Sequence, residues 1–306
     1  MNFKRFLVLF SILGYTLIYF KFYPAFYSFA DEGTYVIQAE YLSRGKLRFP
    51  DWVRGMGIHE GRIGNVSKYP PFYPLIFLSL PLKINFYFIF FVSFLIHLFS
   101  FFILYKILVF LNIDPLFSLL YLFHPSFILY SRTVMPDFYN SFLFLLTFYF
   151  HFKEKYISYI TNFLFVLLKP PNLFYSFVFI YDSFKKRRKI NLIFYILSTF
   201  ISIFFIFIYL YFIYGRYHPD FKFSLIYFFK NFKDYFVYLN LNYPLLLIFG
   251  LLGILKIKIL RNLLIGFLPA IFLYLLYIYH DKVEGNLILS SVIGIRYLFP
   301  FLIFLI

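Results

Sequence analysis

A chain of 306 residues that is 62% hydrophobic, with 52 Phe and 31 Tyr, carries more aromatic surface than a soluble domain of that length buries. Its apolar runs are continuous, which points to an all-α polytopic transmembrane bundle and argues against a β-barrel, whose strands would alternate. A net charge of +16 fits Lys and Arg gathered in cytoplasmic loops and implies no nucleic-acid partner, while the lack of Cys removes disulfides and thiolate chemistry.

The first predicted span covers about 6–23, behind the basic residues Lys4 and Arg5. This start is like a signal peptide, but no small-residue cleavage site follows, so it reads as a retained helix. A long first external loop, about 24–84, comes next and contains the only tryptophan, Trp52. Within it, 30–44 carries a helical apolar stripe with Tyr35, Val36, Ala39, Tyr41 and Leu42, and reads as a short interfacial helix. The segment 70–82 is broken by Pro70, Pro71, Pro74 and Pro81, so it is expected to be re-entrant or interfacial.

Nine more spans are expected near 85–110, 115–131, 138–152, 157–168, 172–182, 190–214, 243–255, 262–279 and 289–306, giving about 10 spans in a single domain, 1–306. Arg296 interrupts the last, and the chain stops at Ile306, so either the final helix is short or the C-terminus is truncated. With the N-terminus inside, Lys4, Arg5, Lys106, Lys153, Lys155, the run 185–189 and Lys256, Lys258 and Arg261 fall on the cytoplasmic side, as the positive-inside rule requires. Asp114, Glu154 and Asp182 are the only acids there. The same topology places Asp31, Glu32, His59, Glu60, Lys68, Arg132, Asp137, Lys169, Arg216, His218 and Arg296 at the outer face.

Polar interruptions on that face fall in five segments: 31–45, 67–74, 131–137, 167–172 and 295–300. Lys68, Arg132, Lys169 and Arg296 suit a phosphate, and Asp31 suits a base that takes a proton from a hydroxyl. Simpler roles stand beside these. Lys68 and Lys169 fit interfacial snorkelling, Asp137 fits an N-cap for 138–152, and His97 and His124 fit buried structural histidines. His59-Glu60 is a weak candidate pair for a divalent metal, the one cofactor left open.

The order of these segments resembles the GT-C superfamily of polyprenyl-phosphate-sugar-dependent membrane glycosyltransferases, in the branch of protein O-mannosyltransferases and aminoarabinose lipid A transferases. The resemblance lies in Asp31-Glu32 with Tyr35 and Ala39, Lys68-Tyr69-Pro70-Pro71, Asp137 in SRTVMPD, Lys169, and Arg296-Tyr297 with Pro300. It implies a bundle in a bacterial or archaeal cytoplasmic membrane with its active site outside. It also implies an inverting enzyme that passes a sugar from a polyprenyl-phosphate donor to a hydroxyl acceptor on lipid, glycan or protein. Asp31, Glu32 and Asp137 would then be catalytic, and Lys68, Arg132, Lys169, Arg296, Tyr35 and Tyr297 would hold the donor phosphate or sugar. This chain departs from the pattern in having Tyr69 between the Lys and the prolines. It also has Ser67 where lipid A-modifying members place a metal-binding Glu. The alternatives are a transporter or lipid-linked glycan flippase and a scaffold without catalysis.

Overall fold

The computed structural model describes residues 3–24, 29–53, 57–215, 223–277 and 285–306; Arg216 and His218 lie outside them. Helix α1 (Phe3–Lys21) leads to α2 (Ala30–Ser43), whose first turn holds Asp31 and Glu32, where carboxylates favour the helix dipole. A hairpin follows, with β1 (Ile58–Gly61) antiparallel to β2 (Gly64–Ser67), and Gly64 takes the positive φ of its turn. Helix α3 (Pro74–Ile84) opens as a π-helical turn behind the proline pair. After α4 (Phe88–Phe110), prolines divide the chain into a 3-10 turn (Pro115–Phe117), α5 (Ser118–Leu122) and α6 (Pro125–Ser131).

Helix α7 (Pro136–Phe152) begins on a proline at its first position, where the missing N–H is harmless. Helices α8 (Ile157–Leu168) and α9 (Asn172–Lys185) are separated at Lys169-Pro170-Pro171, because proline disfavours helical geometry in the residue before it. The chain continues through α10 (Lys189–Tyr214), α11 (Ile226–Asn242), α12 (Leu246–Lys256) and α13 (Lys258–Leu276). It ends in α14 (Leu287–Gly294), a 3-10 turn (Ile295–Leu298) that carries Arg296, and α15 (Phe299–Leu305).

Five of these units are long and apolar enough to cross a bilayer: α1, α4, α10, α13 and Leu287–Leu305. Helices α11 and α12 make a sixth if counted together, although they meet at 95°. Five to six such helices point to an integral membrane protein. The expected count of about 10 is not reached because 115–131 is broken, while α7, α8 and α9 have 17, 12 and 14 residues, short of the roughly 20 a perpendicular span needs. The structure is all-α as expected, apart from the one hairpin, and α11 occupies most of the stretch between the expected spans 190–214 and 243–255. The helix expected over 30–44 does form, as α2, and it packs on α3.

Long outward-facing rows of Phe, Leu and Ile on α1 and α10, such as Phe10, Leu13 and Leu17 or Phe200, Phe204 and Phe207, give lipid tails an apolar surface. Residues expected on the cytoplasmic side pair with one another. Lys4 meets Asp114 at 2.8 Å, Arg188 meets Glu154 at 2.6 Å, and buried Asp182 joins Lys186 and His151 at 2.7 Å each.

Helices α9 and α13 are in close contact at Gly266, where an added Cβ would lie 2.5 Å from Val178 Cα. Small residues allow such contact between apolar helices. Gly266→Val is expected to cost about 1–3 kcal/mol, because backbone cannot move aside as a side chain would. A lowered thermal midpoint in detergent would show it; an unchanged midpoint would mean that the helices are not in contact there.

Candidate functional site

All five polar segments meet at one end of the bundle, linked by Tyr69 to Asp31, Lys169 to Asp137 and Tyr297, and Glu32 to Val134. The first turn of α2 delivers Asp31 and, one turn on, Tyr35. The chain leaving β2 delivers Lys68 and Tyr69, the start of α7 delivers Asp137, the α8–α9 break delivers Lys169, and the 3-10 turn ahead of α15 delivers Arg296 and Tyr297. These positions are up to 266 residues apart in sequence, so the fold rather than local pattern brings them together.

Asp31 is half-buried, and its Oδ1 accepts a hydrogen bond from the Tyr69 hydroxyl at 3.0 Å. The Tyr69 ring packs against Tyr35 at 4.9 Å, and Lys68 Nζ lies 5.1 Å from the Tyr69 ring centre. Tyr35 is buried within electrostatic reach of Asp31, Asp137 and Arg296. Burial, and then the neighbouring Tyr69, Asp31 and Asp137, push its hydroxyl well above the ordinary tyrosine range, so it stays a neutral donor. Across the site, Lys169 donates to Asp137 Oδ1 in an ion pair. Its ammonium also sits over the Tyr297 ring at 4.9 Å, and Arg296 lies at 4.9 Å from the same ring. Arg296 also donates to the Tyr297 hydroxyl at 2.9 Å.

The turn that carries Arg296 is held from two sides. Tyr175 donates to the Tyr297 carbonyl at 2.7 Å, and Tyr130 donates to the Ile293 carbonyl at 3.1 Å. Tyr297 also stacks on Tyr274. The result is a carboxylate open to a hydroxyl on one side and three cations, Lys68, Lys169 and Arg296, on aromatic supports. Such a set can remove a proton and receive a phosphate.

Several residues expected in the site take other positions. Glu32 is fully buried; one oxygen accepts the Phe29 N–H at 2.8 Å and the other the Val134 N–H. It caps α2 and ties it to the 131–137 segment, which is a structural duty rather than contact with a reacting atom. Arg132 turns toward the end of α1, where its guanidinium donates to the Phe22 carbonyl and lies near Tyr15 and Tyr19. Asp137 is not an N-cap, since Met135 occupies that position, and Asp137 falls in the first turn instead.

His59 and Glu60 are adjacent on β1, so their side chains leave opposite faces of the strand and cannot close on one ion. Ser67 Oγ accepts the Tyr69 N–H at 3.0 Å and is buried, so that position also does not suit a metal. Among the described residues no three His, Asp or Glu side chains converge as metal ligands would. His97 and His124 are buried as structural groups: Nδ1 of His97 meets the Tyr15 hydroxyl at 2.8 Å, and Nδ1 of His124 caps α6.

Sequence reasoning missed two members of the cluster. Tyr69 carries no charge and is one of 31 tyrosines; the only signal was its insertion between Lys68 and the prolines. Gln38, on α2, donates to the Tyr69 carbonyl at 3.0 Å, and nothing in its local pattern marks it. Comparisons with protein-family models, with curated proteins and with solved structures return no match.

Proposed function

We propose that this chain is an inverting membrane glycosyltransferase that moves a sugar from a polyprenyl phosphate to a hydroxyl at the outer face of a cytoplasmic membrane. One observation carries the reading: Asp31 and the cations Lys68, Lys169 and Arg296 come from four distant segments to one end of a lipid-facing bundle. The sequence resemblance to the GT-C superfamily agrees with it.

In this reaction the donor's polyprenyl tail lies along the apolar helices and its phosphate enters among the three cations. The acceptor hydroxyl lies against Asp31. Its oxygen attacks the anomeric carbon from the face opposite the phosphate, the bond from that carbon to the phosphate oxygen breaks, and Asp31 takes the hydroxyl proton. The phosphate leaves with the bonding electron pair, and the cations compensate its charge. No second carboxylic acid is required, because phosphate leaves without protonation once its charge is met. Glu32 maintains the local backbone, and Asp137 holds Lys169.

The test uses purified protein in proteoliposomes with a panel of polyprenyl phosphates bearing radiolabelled hexose or pentose. Release of polyprenyl phosphate, with label passing to lipid, glycan or protein fractions, is expected. Lys68→Ala should weaken donor binding about tenfold or more, as removal of a charged phosphate contact does. Donor crossing the bilayer with its sugar bond intact would favour a transporter or flippase. Failure of every donor to bind would overturn the proposal.

A further inference from the structure

We infer that Tyr69 is the positioning residue for Asp31 and that Asp31 Oδ2 is the atom that takes the acceptor's proton. The inference rests on the function proposed above. The Tyr69 hydroxyl donates to Oδ1 at 3.0 Å, and Oδ2 has no hydrogen-bond partner among the described residues. A phenol donating to a carboxylate forms a charge-assisted bond, which fixes the carboxylate's rotation and occupies one oxygen. The second oxygen is left with its lone pairs aimed away from Tyr69, so an acceptor hydroxyl must come from that side.

Tyr69 is itself held on every side that could let it drift. Gln38 Nε2 donates to its carbonyl at 3.0 Å, and its own N–H is bound to Ser67 Oγ at 3.0 Å. Its ring packs against Tyr35 and meets the Lys68 ammonium. It also passes so near Gly57 that an added Cβ there would lie 2.9 Å from the ring, which leaves no room for a larger residue. Asp31, Tyr69 and Gln38 thus form a chain of base, orienter and anchor, the arrangement that turns a surface carboxylate into a directed one. Gln38 Oε1 is buried without a partner, so only the amide's donor half is used in this chain.

The experiment compares Tyr69→Phe, Asp31→Asn and the double variant. Tyr69→Phe keeps the ring and loses only the hydroxyl. It is expected to lower kcat about 10- to 100-fold while leaving donor binding by the cations within twofold, consistent with the loss of one hydrogen bond to a charged group. In the Asp31→Asn background it should add little, because the two residues act through one atom. An independent readout is the carboxylate stretch of Asp31 in infrared difference spectra of protein carrying 13C-labelled Asp, assigned by its loss in Asp31→Asn. That band should shift in Tyr69→Phe. An unshifted band, or an equal loss from Tyr69→Phe in both backgrounds, overturns the inference. A shifted band in protein that transfers no sugar from any donor instead overturns the proposed function and leaves the contact standing.

Discussion

Asp31→Asn is expected to reduce sugar transfer by a factor of about 10²–10⁴, the range for loss of a general base, while the protein folds and binds donor as before. The substitution is nearly isosteric, and the Asn carbonyl can still accept from Tyr69, so the first turn of α2 keeps its shape. What is lost, in the proposed reaction, is the ability to take a proton as the sugar–acceptor bond forms. The stability cost should be small: Asp31 is half-buried in a first helical turn, where a carboxylate contributes about 0.3–1 kcal/mol through the helix dipole. Glu32, its neighbour in sequence, gives the contrasting result. Its buried carboxylate satisfies two backbone N–H groups, so its removal should damage folding rather than chemistry. A normal thermal midpoint with collapsed turnover for Asp31→Asn supports the base assignment. Undiminished transfer removes it.

Some of this molecule is legible from hydropathy and charge, because long apolar runs and proline breaks act over a few neighbours. Helices α1, α4, α10 and α13 read out this way, as does the interruption of the last segment at Arg296. The gathering of Asp31, Lys68, Asp137, Lys169 and Arg296 could be anticipated only as a shared side of the membrane. The pairings within it depend on contacts across the chain that leave no local trace, such as Glu32 reaching Val134 or Tyr69 reaching Asp31. Arg132 shows the limit of reading charge alone: it reads as part of the expected outer face but is used to close the end of α1. Helix α11 shows another. Its Lys and Asn residues make it look like a loop, yet Asn231 is buried and donates to carbonyls at the end of α13, including Leu275 at 3.0 Å. A polar residue that ties down a helix end is, in sequence, indistinguishable from one in solvent.

Lys169→Met is expected to destabilise the protein by about 3–5 kcal/mol, because it leaves the Asp137 carboxylate buried with no counter-charge. The Asp137 side chain is 4% exposed and that of Lys169 19%, so water can hydrate the lysine's head but not the acid. Methionine preserves the stem's packing, including its approach to Tyr297, and removes only the charge. The double variant Asp137→Asn with Lys169→Met removes both charges, and most of the lost stability should return, since a neutral buried pair carries a far smaller desolvation penalty. Activity should not return with it, because the proposed reaction needs the ammonium for the departing phosphate. Stability recovered without turnover would separate the two duties of Lys169, balancing Asp137 and meeting the donor. Turnover recovered together with stability would mean that Lys169 serves the fold alone, and that the phosphate must be held by Lys68 and Arg296.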